Sequence, residues 1–169
     1  ISVPGEEIPR LSIMEKSYPG SIMVNPAGQR FSNESQNYMA FQQETFAKHT
    51  EENPLNPSWQ IFDANFRATY FVGPLYNSKF LPDWAVPKRY EEEGFFAKAD
   101  SIAELARKIN VDAAGLQETV HKINEYARTG HDPDCHRGES AYDRYYGDPR
   151  VTPNPCLGPI NKPPYYAMK

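Results

Sequence analysis

Tyr38 is the residue whose type and position most favour chemistry in this sequence. It lies four residues, about one helical turn, after Glu34 and just past a predicted hairpin. It could therefore project from the N-terminus of a helix, where the helix dipole favours an anion and would lower the pKa of a phenol from ~10. Tyr38 is a candidate base that acts as a phenolate, and a packing role is the alternative for any single tyrosine.

The eleven tyrosines of the chain include a cluster formed by Tyr142, Tyr145 and Tyr146. Tyrosine combines an apolar ring with a polar hydroxyl, so it suits a pocket that hydrogen-bonds one oxygen of an otherwise apolar ligand. Tyr145, Tyr146 and the aromatic Trp84 are further candidates for lining a substrate pocket. Packing is the alternative for each of them.

Three other groups have both a chemical and a structural interpretation. Arg30 could bind a carboxylate or phosphate, or pair with Glu34 four residues later, and the sequence leaves both open. Segment 131–136 holds five potential metal ligands in six residues, but their order matches no zinc or calcium pattern, which favours a solvated turn. His49 and His121 lie on helical faces without a chemical partner, so we expect surface or packing roles. We predict no metal site.

Short patterns predict the elements that position Tyr38. A buried strand at 20–25, a turn with proline at its second position, and a returning strand at 29–32 indicate a hairpin. A helix capped by Asn33 or Ser35 follows and should end near Pro54.

The rest of the chain predicts an α+β fold, with a small sheet, a hairpin, packed helices and long irregular proline-rich segments. Sixteen of the 169 residues are proline, close to twice the usual ~5%. The predicted elements are strands at 58–63 and 95–99, a turn or short helix capped by Asp63, a helix begun by the Ser101 to Glu104 capping box, and a helix from Asp112 to Gly130. The segments expected to be irregular are 1–19, 71–87 and 131–169.

Composition excludes several classes of protein. The 18 Lys and Arg residues against 22 Asp and Glu give a net charge of −4, so the chain lacks the cationic field that nucleic acid or anionic lipid requires. The mean hydropathy is −0.72, and no apolar run approaches the ~20 residues of a membrane span. Two cysteines cannot make a disulfide framework, and a reducing, cytoplasmic compartment is expected.

Several common signatures of cofactor binding and hydrolysis are missing from the sequence. It contains no GxGxxG, no Walker loop, no HExxH and no GxSxG. It begins at Ile1 without a signal-peptide pattern and ends directly after an aromatic pair. We therefore expect the chain to be an excised piece of a longer protein.

Longer motifs resemble one enzyme superfamily. Residues 20–34 resemble the G-x-I-x-V-N-x-x-G-x-R-F-x-N-E signature of the fumarate reductase and succinate dehydrogenase flavoproteins. Within that superfamily, segments 58–63, 140–150, 153–159 and 164–167 look like the 3-ketosteroid dehydrogenase branch. The resemblance runs along nearly the whole chain.

This resemblance implies a role for the piece. In such enzymes a Rossmann-type FAD domain is interrupted by an α+β cap that closes over flavin and substrate, so residues 1–169 would be a single capping, catalytic domain. FAD would be bound mainly by a domain of the same polypeptide that this sequence lacks. The position that matches the catalytic tyrosine of the family is Tyr38. Its phenolate would remove a proton next to the ketone of a 3-ketosteroid-like substrate while flavin N5 takes a hydride, which introduces a carbon–carbon double bond.

The resemblance also leaves alternatives open. Fumarate reductases use arginine as an acid and carboxylate clamp, and none occurs at 35–38, which disfavours a dicarboxylate substrate. The Δ1 and Δ4 dehydrogenases both place a tyrosine here, so the oxidised bond stays unassigned. The alternatives are a fumarate reductase-like cap acting on another substrate, and an aromatic-rich binding module without catalysis.

Overall fold

The fold is built on a small antiparallel sheet. A computed structural model describes residues 1–10 and 12–169, so Leu11 of the predicted irregular N-terminal segment lies outside the described residues. The strands are β1 (Ser21–Val24), β2 (Trp59–Asp63), β3 (Phe96–Ala99) and β4 (Tyr165–Met168). Their order across the sheet is β1-β2-β4-β3, and each neighbouring pair is antiparallel.

The centre of the sheet corrects one prediction. Segment 131–169 was expected to be irregular, but its last residues form β4, which lies between β2 and β3. Met168 pairs with Gln60 on one side and with Phe96 on the other. Aromatic residues favour a pleated, half-buried surface, and the two flanking strands supply the hydrogen-bonding edges that a lone strand lacks.

Helices and short turns surround this sheet. The helices are α1 (Tyr38–Lys48), α2 (Ala64–Thr69), α3 (Arg89–Glu92), α4 (Ile102–Lys108), α5 (Ala113–Thr129) and α6 (Ala141–Tyr145), with 3-10 turns at Glu15–Ser17 and Asp83–Ala85. Within the described residues, no helix combines the length and the apolar character that a bilayer crossing requires.

The predicted caps of α2, α4 and α5 are confirmed. Ser101 accepts a hydrogen bond from the backbone N–H of Glu104 at 3.2 Å, and Asp63 accepts from the first turn of α2. Asp112 accepts from the N–H of Gly115, and Gly130 ends α5 with φ of 78°. These contacts satisfy N–H and C=O groups that a helix end otherwise leaves unpaired. Each cap contacts residues only a few positions away, so the local sequence is enough to predict it.

The predicted hairpin forms only in part. The turn closes through the N–H of Gly28 and the C=O of Asn25 at 2.9 Å. The returning strand reduces to a single bridge between Val24 and Arg30, because Phe31 then turns away to pack near Phe41. The neighbour of β1 in the sheet is instead β2.

The core lies on both faces of the sheet. On one face, apolar residues of the strands pack against the predicted stripe of α5, namely Leu116, Val120, Ile123 and Ala127, and against α4. The other face is aromatic and includes Phe62, Phe66, Phe96 and Tyr166. The α+β class is therefore confirmed, and the segment that carries Tyr38 lies beside the sheet on a separate small cluster.

Candidate active site

Tyr38 is the first residue of α1. The Asn37 side chain caps this helix by accepting a hydrogen bond from the N–H of Met39 at 2.9 Å, so the cap is Asn37 rather than the predicted Asn33 or Ser35. The helix ends at Lys48, before the predicted Pro54. It buries Phe41 and leaves Tyr38 38% exposed, which makes the phenol accessible.

A cleft of about 720 Å³ opens beside Tyr38. This volume falls within the ~300–1,000 Å³ of typical ligand pockets. The residues that line it come from α1, from the N-terminal segment and from the sheet; they include Val3, Lys16, Tyr38, Phe41, Leu55, Gln60, Phe95 and Met168. Ile1 and Lys169 line the same cleft, so the two ends of the chain emerge at the face that carries the phenol.

A second cleft, of about 470 Å³, lies beside β3 and α4. Lys98, Asp100, Glu104 and Lys108 line it, so its wall is strongly charged. It does not include Tyr38 or any other predicted site residue. The candidate active site is therefore the cleft at α1.

A buried ammonium group lies at the wall of this cleft. Lys16 is only 5% exposed, and its Nζ donates hydrogen bonds to the carbonyls of Glu34 at 2.7 Å and Gln36 at 2.8 Å. The Nζ also lies 4.9 Å from the centre of the Phe41 ring. Burial, followed by the nearby Arg137 guanidinium, lowers the pKa of Lys16 to about 8.

Glu34 is the centre of a buried ion-pair network. Its carboxylate accepts from Arg30 at 2.9 and 2.7 Å and from Arg137 at 3.2 Å. Burial by itself opposes ionisation, but the Arg30 and Arg137 guanidiniums lower the Glu34 pKa to about 2. Arg30 also pairs with Asp132 at 2.9 Å. The ion-pair interpretation of Arg30 is thus confirmed.

Arg137 extends this network to the N-terminal segment. It is 1% exposed and donates to the Ser35 hydroxyl at 3.0 Å. The backbone carbonyls that accept from it are those of Lys16, Ser17, Tyr18 and Ser21. Segments that are distant in sequence are therefore tied together directly behind the start of α1.

The other predicted lining residues lie elsewhere on the surface. Trp84 is 87% exposed and Tyr145 is 79% exposed, and neither they nor Tyr146 line the cleft at Tyr38. Tyr146 packs edge-on against Tyr142 and Tyr145. The hydroxyl of Tyr142 accepts a hydrogen bond from Asn37 at 3.3 Å, so the tyrosine cluster adjoins the start of α1. A role of Trp84, Tyr145 and Tyr146 in substrate binding stays a prediction.

The remaining candidates have structural partners. Asp132 accepts the backbone N–H groups of Asp134 and Cys135 at 3.2 Å, which makes segment 131–136 a turn. Throughout the described part of the chain, no three His, Cys, Asp or Glu side chains are arranged to hold a metal ion. His49 accepts from the N–H of Leu55 at 2.9 Å, and His121 is exposed on α5.

Sequence reasoning missed Lys16 and Gln60 as site residues. Lys16 belongs to a stretch with no periodic pattern, and Gln60 lies within an otherwise apolar strand. Only the tertiary contacts of these side chains bring them to the cleft. No local signal could have identified them.

These features define a class of protein. The chain matches the family model described as "FAD binding domain" over residues 4–169, and it belongs to this family. The expected FAD cofactor is thereby confirmed. FAD needs glycine-rich backbone for its diphosphate, and the sequence has no GxGxxG. The sequence thus lacks the motif that would hold the FAD diphosphate.

Particular relatives agree with the resemblance read from the motifs. The chain is 41% identical to the 3-oxosteroid 1-dehydrogenase of Mycobacterium tuberculosis, over 99% of this chain and 30% of that protein. It is 38% identical to the 4-oxocyclohexanecarboxylate 2-dehydrogenase of Sinomonas cyclohexanicum, over 98% of this chain and 27% of that protein. The chain thus spans about 30% of the length of the curated relatives it matches.

A solved structure shares the fold closely. The 3-ketosteroid delta1-dehydrogenase from Sterolibacterium denitrificans, in complex with 1,4-androstadiene-3,17-dione, superposes with a TM-score of 0.91. Its sequence is 43% identical, and the match covers 99% of this chain and 29% of that one. The recognition of a 3-ketosteroid dehydrogenase-like chain is confirmed.

Proposed function

We propose that this chain is the substrate-covering and base-carrying part of an FAD-dependent dehydrogenase. The enzyme would introduce a carbon–carbon double bond next to the ketone of a flat, apolar, 3-ketosteroid-like substrate. One observation carries the proposal: an accessible phenol, Tyr38, lies at a cleft of about 720 Å³ that combines apolar side chains such as Phe41 and Leu55 with polar ones such as Lys16 and Gln60. Apolar contact surface together with a few placed polar groups is typical of a site for such a ligand.

Tyr38 is the group proposed to move the proton. A ketone acidifies the C–H bonds on its neighbouring carbon, and the Tyr38 oxygen would accept one of these protons as general base. The electrons of the broken C–H bond form the new double bond, and a hydride leaves the next carbon. FAD, when bound, supplies the acceptor for that hydride.

Helix α1 would position Tyr38 for this step. The phenol belongs to the first helical residue and lines the cleft. The buried Lys16 ammonium lines the same cleft. Apolar neighbours such as Phe41 and Leu55 would exclude water around the reacting atoms.

The substrate class rests on the lining and on the relatives. Two relatives are named for ring ketones, one a steroid and one a cyclohexane that carries a carboxylate. Phe41, Leu55, Phe95 and Met168 favour an extended apolar skeleton. We therefore propose a steroid ketone, with the smaller keto acid as the competing substrate to be tested.

The domain arrangement is also part of the proposal. Residues 1–169 would form one capping domain against an FAD-binding domain of the same polypeptide, in a soluble cytoplasmic enzyme. Two observations support this arrangement. Both chain ends line the cleft, and the match covers only 30% of the Mycobacterium tuberculosis relative, so most of that protein lies outside it. Trp84, Tyr145 and Tyr146 would contact substrate only when that second domain completes the pocket.

The first prediction tests Tyr38 in the full-length protein. Tyr38→Phe should lower turnover by about two to four orders of magnitude, because general base catalysis contributes about that much. Flavin content should stay unchanged, since the ring still packs. Steady-state turnover per bound flavin measures the effect, with Tyr126→Phe as the matched control; its hydroxyl binds Asp134 away from the cleft.

The outcome separates catalysis from simple binding. Turnover of Tyr38→Phe close to wild type would remove this residue from the mechanism. Saturated and Δ4 3-ketosteroids and 4-oxocyclohexanecarboxylate should be compared by flavin bleaching, because the preferred compound identifies the substrate class and the oxidised bond. Bleaching by none of them would instead favour a non-catalytic, aromatic-rich binding module.

A further inference from the structure

Lys16 binds the backbone that leads into α1. Its ammonium is buried, and the acceptors found for it in the described part of the chain are backbone carbonyls rather than a carboxylate. Hydrogen bonds from a charged donor are about twice as strong as neutral ones. The two carbonyls belong to Glu34 and Gln36, which lead directly into α1.

The contacts of Lys16 lie on both sides of Tyr38. Its hydrogen bonds hold the backbone two and four residues before Tyr38. Its charge lies 4.9 Å from the ring of Phe41, three residues after Tyr38 and on a neighbouring position of the helix surface. One side chain thus ties the loop before the phenol to the first turn that carries it.

Lys16 is itself held in place from behind. Its carbonyl accepts a hydrogen bond from Arg137 at 3.3 Å, and Arg137 also binds the Glu34 carboxylate at 3.2 Å. The neighbouring Ser17 hydroxyl donates to the Glu34 carbonyl at 3.3 Å. The charged groups that act on the ammonium are Arg137, Glu34, Asp143 and Glu15. The lysine is therefore a rigid link between the buried ion-pair network and the cleft.

We propose that Lys16 is a positioning residue for the catalytic step, which fixes the first turn of α1 so that the Tyr38 oxygen meets the substrate C–H bond. This inference rests on the proposed function of Tyr38. An apolar side chain of similar size would fill the space but leave the two carbonyls without their donor, and an unpartnered buried acceptor favours rearrangement of the backbone. The first turn would then take more than one position.

The test compares Lys16→Met and Lys16→Gln with the wild type in the full-length, flavin-loaded enzyme. We expect Lys16→Met to lower kcat per bound flavin about 10- to 100-fold, the usual cost of a small misplacement of reacting groups. KM should change little, and so should the dissociation constant of a 3-ketosteroid measured by ligand-induced fluorescence. The primary isotope effect for substrate deuterated next to the ketone should rise, because proton removal becomes slower.

A matched control separates this role from general stability. Lys48 also donates to a backbone carbonyl, that of Phe31 at 2.6 Å, but it lies at the other end of α1 and does not line the cleft. Lys48→Met should therefore leave kcat and the isotope effect unchanged. A merely structural role of Lys16 would lower the yield of flavin-loaded enzyme without changing kcat per flavin.

Each outcome decides the proposal. A wild-type kcat per flavin and isotope effect in Lys16→Met would overturn it. If that variant does not fold, Lys16→Gln decides. Its side chain is neutral and one bond shorter, so it loses the charge-assisted hydrogen bonds and the contact of the charge with the Phe41 ring; kcat per flavin should fall with KM unchanged, and an unchanged kcat overturns the proposal. Turnover of Tyr38→Phe close to wild type would instead disprove the proposed role of Tyr38, on which this inference rests, and that result is distinguishable from a failure of Lys16.

Discussion

At the scale of single residues, Glu34 shows how a buried charge is tolerated. Its carboxylate lies out of water, yet Arg30 and Arg137 bind both of its oxygens and the N–H of Met23 adds a further hydrogen bond at 3.1 Å. Such a network stabilises the native state only while all its members are present. Glu34 therefore belongs to the frame behind the site rather than to the cleft.

Removing this charge should be costly. Glu34→Gln is expected to destabilise the protein by about 3 to 5 kcal/mol, because two guanidiniums lose their buried carboxylate. Urea unfolding measures the change. The control is Glu118→Gln, whose partner Lys122 forms an exposed ion pair with it; such pairs contribute about 1 kcal/mol or less. Equal stabilities of the two variants would contradict this account.

The same residue predicts a dependence of stability on pH. The Glu34 pKa is about 2 in the folded protein against an ordinary value of 4.5. Its stabilising contribution is therefore complete above pH 4.5 and is lost as the pH falls towards 2. The free energy of unfolding should fall more steeply with acid in the wild type than in Glu34→Gln across this window. If the free energy of unfolding falls equally with pH in both proteins, Glu34 does not cause the acid sensitivity.

At the scale of elements, the turn after β1 and the start of α5 are in close contact. A Cβ added to Gly115 would lie 2.1 Å from the carbonyl oxygen of Ala27, and one added to Gly28 would lie 2.3 Å from the N of Leu116. The N–H of Asp112 donates to the carbonyl of Pro26 at 2.9 Å. The two glycines therefore allow backbone to touch backbone.

Gly115→Ala should consequently destabilise the protein despite the better helix propensity of alanine. We expect a loss of about 1 to 3 kcal/mol, since the added methyl group must displace the turn that leads towards Arg30. Thermal unfolding measures it. Ala114→Gly, at the exposed neighbouring position, should cost about 1 kcal/mol or less. A Gly115→Ala variant more stable than the wild type would show that the turn at Ala27 moves away from the added methyl group at little energetic cost.

At the scale of the whole molecule, the two ends of the chain lie together. The N-terminal amine donates to the carbonyl of Arg10 at 2.8 Å, while β4 completes the sheet from the other end of the sequence. Ile1 and Lys169 both line the cleft. Tyr38 lines this same cleft.

This geometry predicts how the isolated chain behaves. Residues 1–169 expressed alone should purify colourless and inactive, because they lack a diphosphate cradle, whereas the full-length protein should carry FAD. Absorbance of the released flavin and steroid-dependent dye reduction measure the difference. Stoichiometric FAD on the isolated chain would contradict the proposed division of roles between the two domains.

The sequence by itself determined the local features. The capping residues Ser101 and Asp112, the C-terminal Gly130 and the strand at β2 were readable because each depends on neighbours within a few residues. For Arg30 the sequence left two interpretations, a bound carboxylate or phosphate and an ion pair with Glu34 four residues later, and the structure shows the ion pair. The motifs around Tyr38 identified the family for the same reason, because each motif consists of residues that are consecutive in the sequence.

The tertiary structure alone decided what depends on distant segments. Residues more than a hundred positions apart, such as Arg137 and Glu34, meet behind α1, and β4 is a strand because β2 and β3 offer it two edges. Lys16 reaches the carbonyls before Tyr38 only once that network is assembled. Such contacts arise from burial and backbone hydrogen bonding across the whole fold, which leave no periodic trace in a single stretch of sequence.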